Sequence, residues 1–325
     1  ATLVRYNDAY ETSWQTALAD AGLTNASGYH PLMDLDWEYE YCDGGVRITG
    51  VRSFYGWEEH EHGEVRLPSS LWGNPVREIG GGMSFGMFGE YEYAFATAVT
   101  IPDGVRAIGE GVFDSCESLR TVRIPESVTR IGMQAFCRCT NLTNVTLPQR
   151  LQSIDVHAFS YCHGLSNVTI PAAVTNLGLA VFASCRNLQS IEVDAANRFY
   201  ASVDGVLYDK EIQTLLQCPA GISSVEIPET VKRFAECSFM FCERLETLHI
   251  PAAVTEIEPG AFLRCMSLTN LTVDSKNKSF SVQKGVLYDY KKEEVVFCLP
   301  TRETVDILPS VKRICEEAFG GCTDL

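Results

Sequence analysis

The strongest constraint on this chain is a triplet, Phe-x-x-Cys-x-x-Leu, that returns at fixed intervals. It stands at Phe113/Cys116/Leu119, Phe136/Cys139/Leu142, Phe159/Cys162/Leu165 and Phe182/Cys185/Leu188, each 23 residues after the last. It comes back as Phe239/Cys242/Leu245, Phe262/Cys265/Leu268 and Phe319/Cys322/Leu325, with steps of 57 residues from Cys185 to Cys242 and from Cys265 to Cys322. Each long step is one ordinary repeat plus a variant of 34 residues. Seven copies in one register cannot arise by chance, and a period of this length marks a chain built by stacking one supersecondary unit.

The rest of the unit keeps step. One copy reads Leu142-Thr-Asn-Val145-Thr-Leu147-Pro148, then Leu151, Ile154, Ala158-Phe159 and Cys162. Leu-x-x-Val-x-Leu has the alternation of a short strand with its apolar side turned inward. The Pro that follows has no N–H for a ladder and ends it. The chain is then predicted to turn back through Ile-Gly and a short helical turn at Ala-Phe-x-x-Cys. A single coil cannot bury both its faces, so neighbours must stack at ~4.8 Å strand spacing into one continuous parallel sheet. Phe113, Phe136, Phe159, Phe182, Phe239, Phe262 and Phe319 are expected to form a stacked spine on the opposite side.

The Ile-Pro, Ile-Gly, Ala-Phe and Cys-x-x-Leu elements, in this order, resemble the BspA-type leucine-rich repeats. The resemblance runs over about residues 64 to 325 and includes Leu67-Pro68-Ser-Ser-Leu-Trp-Gly73-Asn-Pro-Val76-Arg-Glu-Ile79-Gly80, which is similar to the family's opening repeat. It implies an α/β repeat fold: a leucine-rich-repeat solenoid with 23-residue coils, a parallel β-sheet on the concave face and short helical turns on the convex face. It also implies a bacterial cell-surface or secreted protein, since the family is linked to adhesion, and it offers no catalytic residues to carry over. Asp155, Ala235, Glu258 and Cys315 stand where other copies have the turn glycine, so looser turns are expected there.

Residues 1–45 lie outside the repeat and read as an N-terminal cap, with helix-like spacing over Ala9–Ala21 around Trp14 and Leu18 and strand-like alternation at Trp37–Tyr41. The solenoid then spans 46–325. Its variant repeats, near 193–226 and 273–306, resemble each other at a spacing of 80: Asn197, Phe199, Gly205-Val-Leu-Tyr-Asp209 and Cys218 answer Asn277, Phe280, Gly285-Val-Leu-Tyr-Asp289 and Cys298. Alternation on either side of Asp209-Lys210-Glu211 and of Asp289-Tyr-Lys-Lys292 predicts β-hairpins projecting from the solenoid. The strand expected after Cys322 is missing. The native gene is therefore expected to continue, or an end-to-end self-association to hide Ile314, Phe319 and Leu325.

Several chemistries can be weighed directly. A net charge of −16, with twelve acidic against four basic residues in 1–66, argues against nucleic acid, which demands clustered Lys and Arg. No apolar run is long enough to span a membrane, and the first residues lack a signal-peptide core, so an export signal, if there is one, has been removed. Seven of the thirteen cysteines hold one repeat position and Cys218 and Cys298 hold another, and all nine read as buried, reduced thiols; any disulfide is expected to involve Cys42, Cys137, Cys237 or Cys315. Cys137-Arg-Cys139 is too short and solitary for zinc. Gly82-Met-Ser84-Phe-Gly86 matches a nucleophile elbow, yet Ser84 merely takes the small-residue position of Ala135, Ala158 and Ala261. Trp57-Glu58-Glu59-His60-Glu61-His62 reads as an exposed loop, and Asp194–Gly205 and Asp274–Gly285 lack the ligand pattern of a calcium loop. The sequons at Asn144, Asn167 and Asn270 recur because the repeat copies itself. No catalytic, metal or cofactor site is expected.

What is left is surface. The outward strand positions are Thr121, Arg123, Asn144, Thr146, Asn167, Thr169, Ser190, Glu192, Thr247, His249, Asn270 and Thr272, a polar and mostly uncharged face without the aromatic anchors of tight interfaces. The expectation is an extracellular binding or adhesion module for a protein or glycan at a cell or host surface. The alternative is a spacer or scaffold that binds nothing strongly.

Overall fold

A computed structural model of the protein describes residues 37–51, 63–71, 73–80, 96–300 and 304–322. The helix-like stretch Ala9–Ala21, the Trp57–His62 cluster, Ser84 and Leu325 lie outside the described residues. The rest is a β-solenoid, and each coil contributes two strands.

Front strands carry the Leu-x-x-Val-x-Leu pattern. Glu64–Arg66, Ala98–Thr100, Thr121–Arg123 and Asn144–Val145 pair in parallel as one sheet, Asn167–Ile170 pairs with Ser190–Val193, and Ser224–Val225, Thr247–Ile250 and Asn270–Val273 form a third set. Along each strand burial alternates, as in Asn167–Ile170, where Val168 and Ile170 are buried and Asn167 and Thr169 exposed. The Ile-Gly segments, expected only to turn the chain, pair as well: Ala107–Ile108, Arg130–Ile131, Ser153–Ile154 and Asn176–Leu177 make a second parallel sheet. Gly45–Val51 and Asn74–Ile79 extend this sheet, and Trp37–Cys42 closes its N-terminal edge antiparallel to Gly45–Val51.

The turn glycines work by omission of a side chain. A Cβ on Gly132 would come within 2.7 Å of the Gly109 backbone, so neighbouring coils close on each other only where that atom is missing. The looser turns expected at the four departures do not occur. Asp155, Ala235, Glu258 and Cys315 donate their N–H to the preceding coil at 2.9, 3.0, 3.0 and 2.8 Å, against 2.8 Å for Gly132 and Gly178. Asp155 also accepts its neighbour's N–H, from Val156 at 3.1 Å, and Glu258 accepts that of Glu236 at 2.7 Å. The carboxylates thereby satisfy donors that a methylene alone would have left covered.

The Ala-Phe-x-x-Cys segments are not helical turns, and among the described residues there is no helix. Residues two before and two after the phenylalanine sit at positive φ: Gln134 and Arg138 at 54° and 59°, His157 and Tyr161 at 56° and 62°. That reversal turns alternate N–H groups toward the next coil. Gln134, Phe136 and Arg138 donate to the carbonyls of Val156, Ala158 and Ser160 at 3.0, 2.8 and 2.8 Å. A helix would have spent those donors within its own coil. Left-handed conformations at residues other than glycine cost about 1 kcal/mol each, and the ladder between coils offsets that cost.

The aromatic spine exists in two pieces. Phe113, Phe136, Phe159 and Phe182 stack with ring centroids 5.0, 5.1 and 5.7 Å apart, and Phe239 stacks on Phe262 at 5.5 Å. Phe297, not Phe319, continues the second piece, 4.9 Å from Phe262. The break falls at the first variant repeat, where the Gln217 amide oxygen accepts the Phe182 N–H in place of another coil's carbonyl.

The variant repeats do not project. Each is a three-stranded antiparallel meander: Tyr200–Val203, Val206–Asp209 and Thr214–Gln217 in the first, Phe280–Gln283, Val286–Asp289 and Glu294–Cys298 in the second. The last strand of each pairs in parallel with the following Ile-Gly-type strand, Arg233–Phe234 or Arg313–Ile314, so the meander forms solenoid wall. Its middle strand is buried, with Tyr208 and Tyr288 among the largest fully buried side chains, which a free hairpin could not provide.

Candidate functional site

The front face is built by register. Parallel pairing sets Thr121 beside Asn144, Asn167 beside Ser190, Thr169 beside Glu192, Thr247 beside Asn270 and His249 beside Thr272. Because side chains alternate along a strand, the inward Val and Leu residues hold these in rows on the other side. Thr121, Arg123, Asn144, Thr146, Asn167, Thr169, Glu192, Thr247, His249, Asn270 and Thr272 are exposed and Ser190 is half-buried.

The rows fall into two fields. Between them lies the first meander, whose Asp204-Gly205 turn meets the front strand where Ile191 N–H donates to the Gly205 carbonyl at 2.8 Å. In the N-terminal field Arg123 pairs with Asp103 at 3.1 Å, and the Glu192 carboxylate accepts from both Ser190 and Ser202. In the C-terminal field Ser224, Val225, Glu226, Thr247, Leu248, His249, Asn270 and Thr272 line a shallow depression of about 210 Å³. His249 Nδ1 lies 2.9 Å from Thr272 Oγ1. This field offers hydroxyl, amide, imidazole and, at Glu226, carboxylate groups for hydrogen bonding.

Of the sequence motifs weighed for chemistry, Trp57–His62 and Gly82–Gly86 lie outside the described residues. Among the described residues no group of three or more His, Cys, Asp or Glu side chains could hold a metal ion, and no helix is long and apolar enough to cross a membrane. Asp194 and Asp274, in the stretches compared with calcium loops, cap their own turns: Asp194 Oδ1 accepts the Ala196 N–H at 2.9 Å and Asp274 Oδ1 the Lys276 N–H at 2.7 Å.

All thirteen cysteines carry a thiol and none is in a disulfide. At the repeat position Cys116, Cys139, Cys162, Cys185, Cys242 and Cys265 are buried and Cys322 is half-buried. Cys139, Cys162 and Cys185 donate to the phenylalanine carbonyl of the preceding coil, Phe113, Phe136 and Phe159, at 3.1, 3.1 and 3.2 Å. Burial pushes the Cys185 thiol up to about 12 and those of Cys139 and Cys162 well above the ordinary range. Cys137, beside Asp114, rises to about 11, first through burial and then through that carboxylate's charge. Asp114 is itself buried and tied to Arg138 at 2.5 Å, so this cluster fastens two coils together.

Sequence reasoning passed over two buried polar residues. Asn197 Nδ2 donates to the Pro171 and Val174 carbonyls at 2.9 and 3.0 Å, while Oδ1 accepts from the Phe199 and Tyr200 N–H groups at 2.8 and 2.9 Å. Asn277 repeats the bracket on Pro251, Val254, Ser279 and Phe280. The signal was present, since these asparagines were among the few identities shared by the two variants.

Two solved structures share the fold. The pneumococcal vaccine antigen PcpA is 20% identical with a TM-score of 0.57, covering 78% of this chain and 72% of that one. A leucine-rich-repeat protein from Bacteroides ovatus is 24% identical with a TM-score of 0.55, covering 91% and 81%. No curated protein matches the chain. The BspA-type leucine-rich-repeat region matches residues 89–202 and 214–299 in six copies, more than half of the sequence, and the chain therefore belongs to the BspA-type leucine-rich-repeat family.

Proposed function

We propose that the protein is a non-enzymatic binding module that recognises a protein or glycan partner through the front face of its solenoid, and that it works at the cell surface or outside the cell. The observation that carries this reading is the C-terminal field, where rows from Ser224–Val225, Thr247–Ile250 and Asn270–Val273 surround one depression with hydrogen-bonding groups, all uncharged but the Glu226 carboxylate and the titratable His249. Such a face suits a polar ligand held by many weak contacts better than a partner anchored by a few aromatic residues. Family membership supports the surface location, as does the shared fold with a protein described as a vaccine antigen.

The test is binding to immobilised extracellular-matrix proteins and to a glycan array, with the parent protein and with Thr247→Ala, His249→Ala and Thr272→Ala. Saturable binding that the three substitutions weaken at least tenfold supports the reading. An array that stays blank at saturating protein favours a spacer that holds other parts of a longer protein apart. Binding that the substitutions leave unchanged places recognition elsewhere on the coil surface.

A further inference from the structure

On the regular coils the repeat cysteine hydrogen-bonds a phenylalanine carbonyl one coil back, as Cys265 does with Phe239 at 3.1 Å. Cys242 and Cys322 have no such partner, because a variant repeat without a Phe-x-x-Cys turn precedes each of them. A second cysteine stands there instead. Cys218 follows the strand Thr214–Gln217, and Cys298 ends the strand Glu294–Cys298.

One backbone bond sets the register of both pairs. The Cys218 N–H donates to the Ser238 carbonyl at 2.7 Å, four residues before Cys242, and the Cys298 N–H to the Ala318 carbonyl at 2.8 Å, four residues before Cys322. In each pair both sulfurs converge on one carbonyl oxygen. Cys218 and Cys242 lie 3.8 and 4.0 Å from Pro219 O, and Cys298 and Cys322 each lie 3.6 Å from Leu299 O. In each pair the second sulfur also lies against the backbone of the first cysteine, Cys242 Sγ 3.6 Å from Cys218 O and Cys322 Sγ 3.7 Å from Cys298 O. Regular ladder thiols differ, since each occupies its own phenylalanine carbonyl and projects in parallel with its neighbour, a poor geometry for a bridge.

We propose that Cys218–Cys242 and Cys298–Cys322 are two disulfide-forming sites, each locking a variant repeat to the coil that follows it. The oxidant is a disulfide, either oxidised glutathione or a dithiol oxidase of the export route. One cysteine thiolate attacks the oxidant's S–S bond and releases one thiolate; the second cysteine then attacks the mixed disulfide and releases the other. Two thiols lose two protons and two electrons to make one bond, and the oxidant's disulfide is reduced to two thiols. Cys322 is half-buried whereas Cys218, Cys242 and Cys298 are buried, so the Cys298–Cys322 bridge forms first in the folded protein. The assignment does not depend on what the front face binds.

The protein is refolded from denaturant in a glutathione redox buffer, and a second sample is oxidised while folded with excess oxidised dithiothreitol. Remaining thiols are alkylated after unfolding, and the bridges are mapped by mass spectrometry. Refolded protein is expected to show Cys218–Cys242 and Cys298–Cys322 peptides, to lose four of its thirteen alkylation sites, and to melt several degrees higher than the reduced form. C218S and C298S should each remove one bridge and its share of the shift while leaving the other bridge intact. Bridges between neighbouring repeat cysteines such as Cys139 and Cys162, bridges through Cys42 or Cys237, or thirteen alkylated thiols after refolding would each overturn the proposal.

Discussion

Replacing Phe159 by alanine tests the central physical claim, that stacked aromatic rings hold coil to coil. The ring is fully buried and lies between two others, 5.1 Å from Phe136 at an interplanar angle of 5° and 5.7 Å from Phe182 at 15°. Truncating a buried phenylalanine typically costs about 3–5 kcal/mol, and each lost aromatic contact contributes about 0.5–1.5 kcal/mol beyond area burial. Two such contacts vanish here, so the expected loss sits at the upper end, about 4–5 kcal/mol. The gap cannot close by collapse, because the Phe159 N–H is fixed to the Val181 carbonyl at 2.9 Å and the Phe136 N–H to Ala158 at 2.8 Å. Solenoids unfold as coupled neighbours, so a denaturation curve should be joined to amide hydrogen exchange, which should show lost protection at Phe136, Phe159 and Tyr161 before distant coils respond. Phe319→Ala, at a half-buried ring outside the stack, should cost clearly less. A loss below about 1 kcal/mol at Phe159, or equal losses at Phe159 and Phe319, would refute the spine as a source of stability.

Three further outcomes are expected. A thiol whose pKa is raised by folding keeps its full contribution below the unfolded value near 9 and loses it as pH rises toward the folded value, about 12 for Cys185. Reduced protein should therefore melt at falling temperature above pH 9, with a shallower fall in Cys185→Ala, and a thiol reagent should label the folded protein slowly and the unfolded protein at all thirteen sites. Asn197→Ala leaves two carbonyls and two N–H groups without their partner in a buried bracket and should cost about 2–4 kcal/mol by urea titration, whereas replacing the exposed Asn144 should cost less than about 0.5 kcal/mol. In Gly178→Ala the new methyl would land on the backbone of Val156 and Asp155, so a melting temperature equal to the parent's would show that the coils are not in close contact there.

The sequence made legible whatever repeats. Period, inward apolar rows, outward polar rows and buried repeat cysteines all follow from spacing, because alternation along a strand leaves one choice of face. What it concealed depends on backbone conformation. Ala-Phe-x-x-Cys reads as a helical turn because its composition suits one, and only positive φ at residues such as Gln134 and Arg138 reveals that the N–H groups leave the coil. Each meander has one more turn than the alternation suggested, for a related reason. Asp209-Lys210-Glu211 and Asp289-Tyr-Lys-Lys292 do join antiparallel strands, but a second tight turn precedes each, Asp204-Gly205 and Lys284-Gly285, where both residues take positive φ, at 49° and 77° in each. Asp-Gly between alternating apolar residues is the stronger hairpin signal, and it stood in the sequence. The candidate face was legible as a face, but its division into two fields was not, since that needs the Gly205 turn to be placed against Ile191.

The choice of cysteine at the repeat position follows from the same backbone. The Phe136 carbonyl accepts the Cys139 N–H of its own coil at 3.3 Å, and its second lone pair faces the next coil at a depth water does not reach. Alanine there would bury that lone pair without a partner. Serine would supply a donor, at the larger desolvation cost of a hydroxyl. A thiol is small, weakly polar and able to donate, and Cys162 meets the Phe136 carbonyl at 3.1 Å. The position therefore selects cysteine wherever a Phe-x-x-Cys coil precedes it, by packing and a weak hydrogen bond, with no need of redox chemistry. Where a variant repeat removes the phenylalanine carbonyl, that selection lapses. Cysteine nevertheless persists at 242 and 322 and is matched by a second cysteine at 218 and 298, which sets these two pairs physically apart from the rest of the ladder.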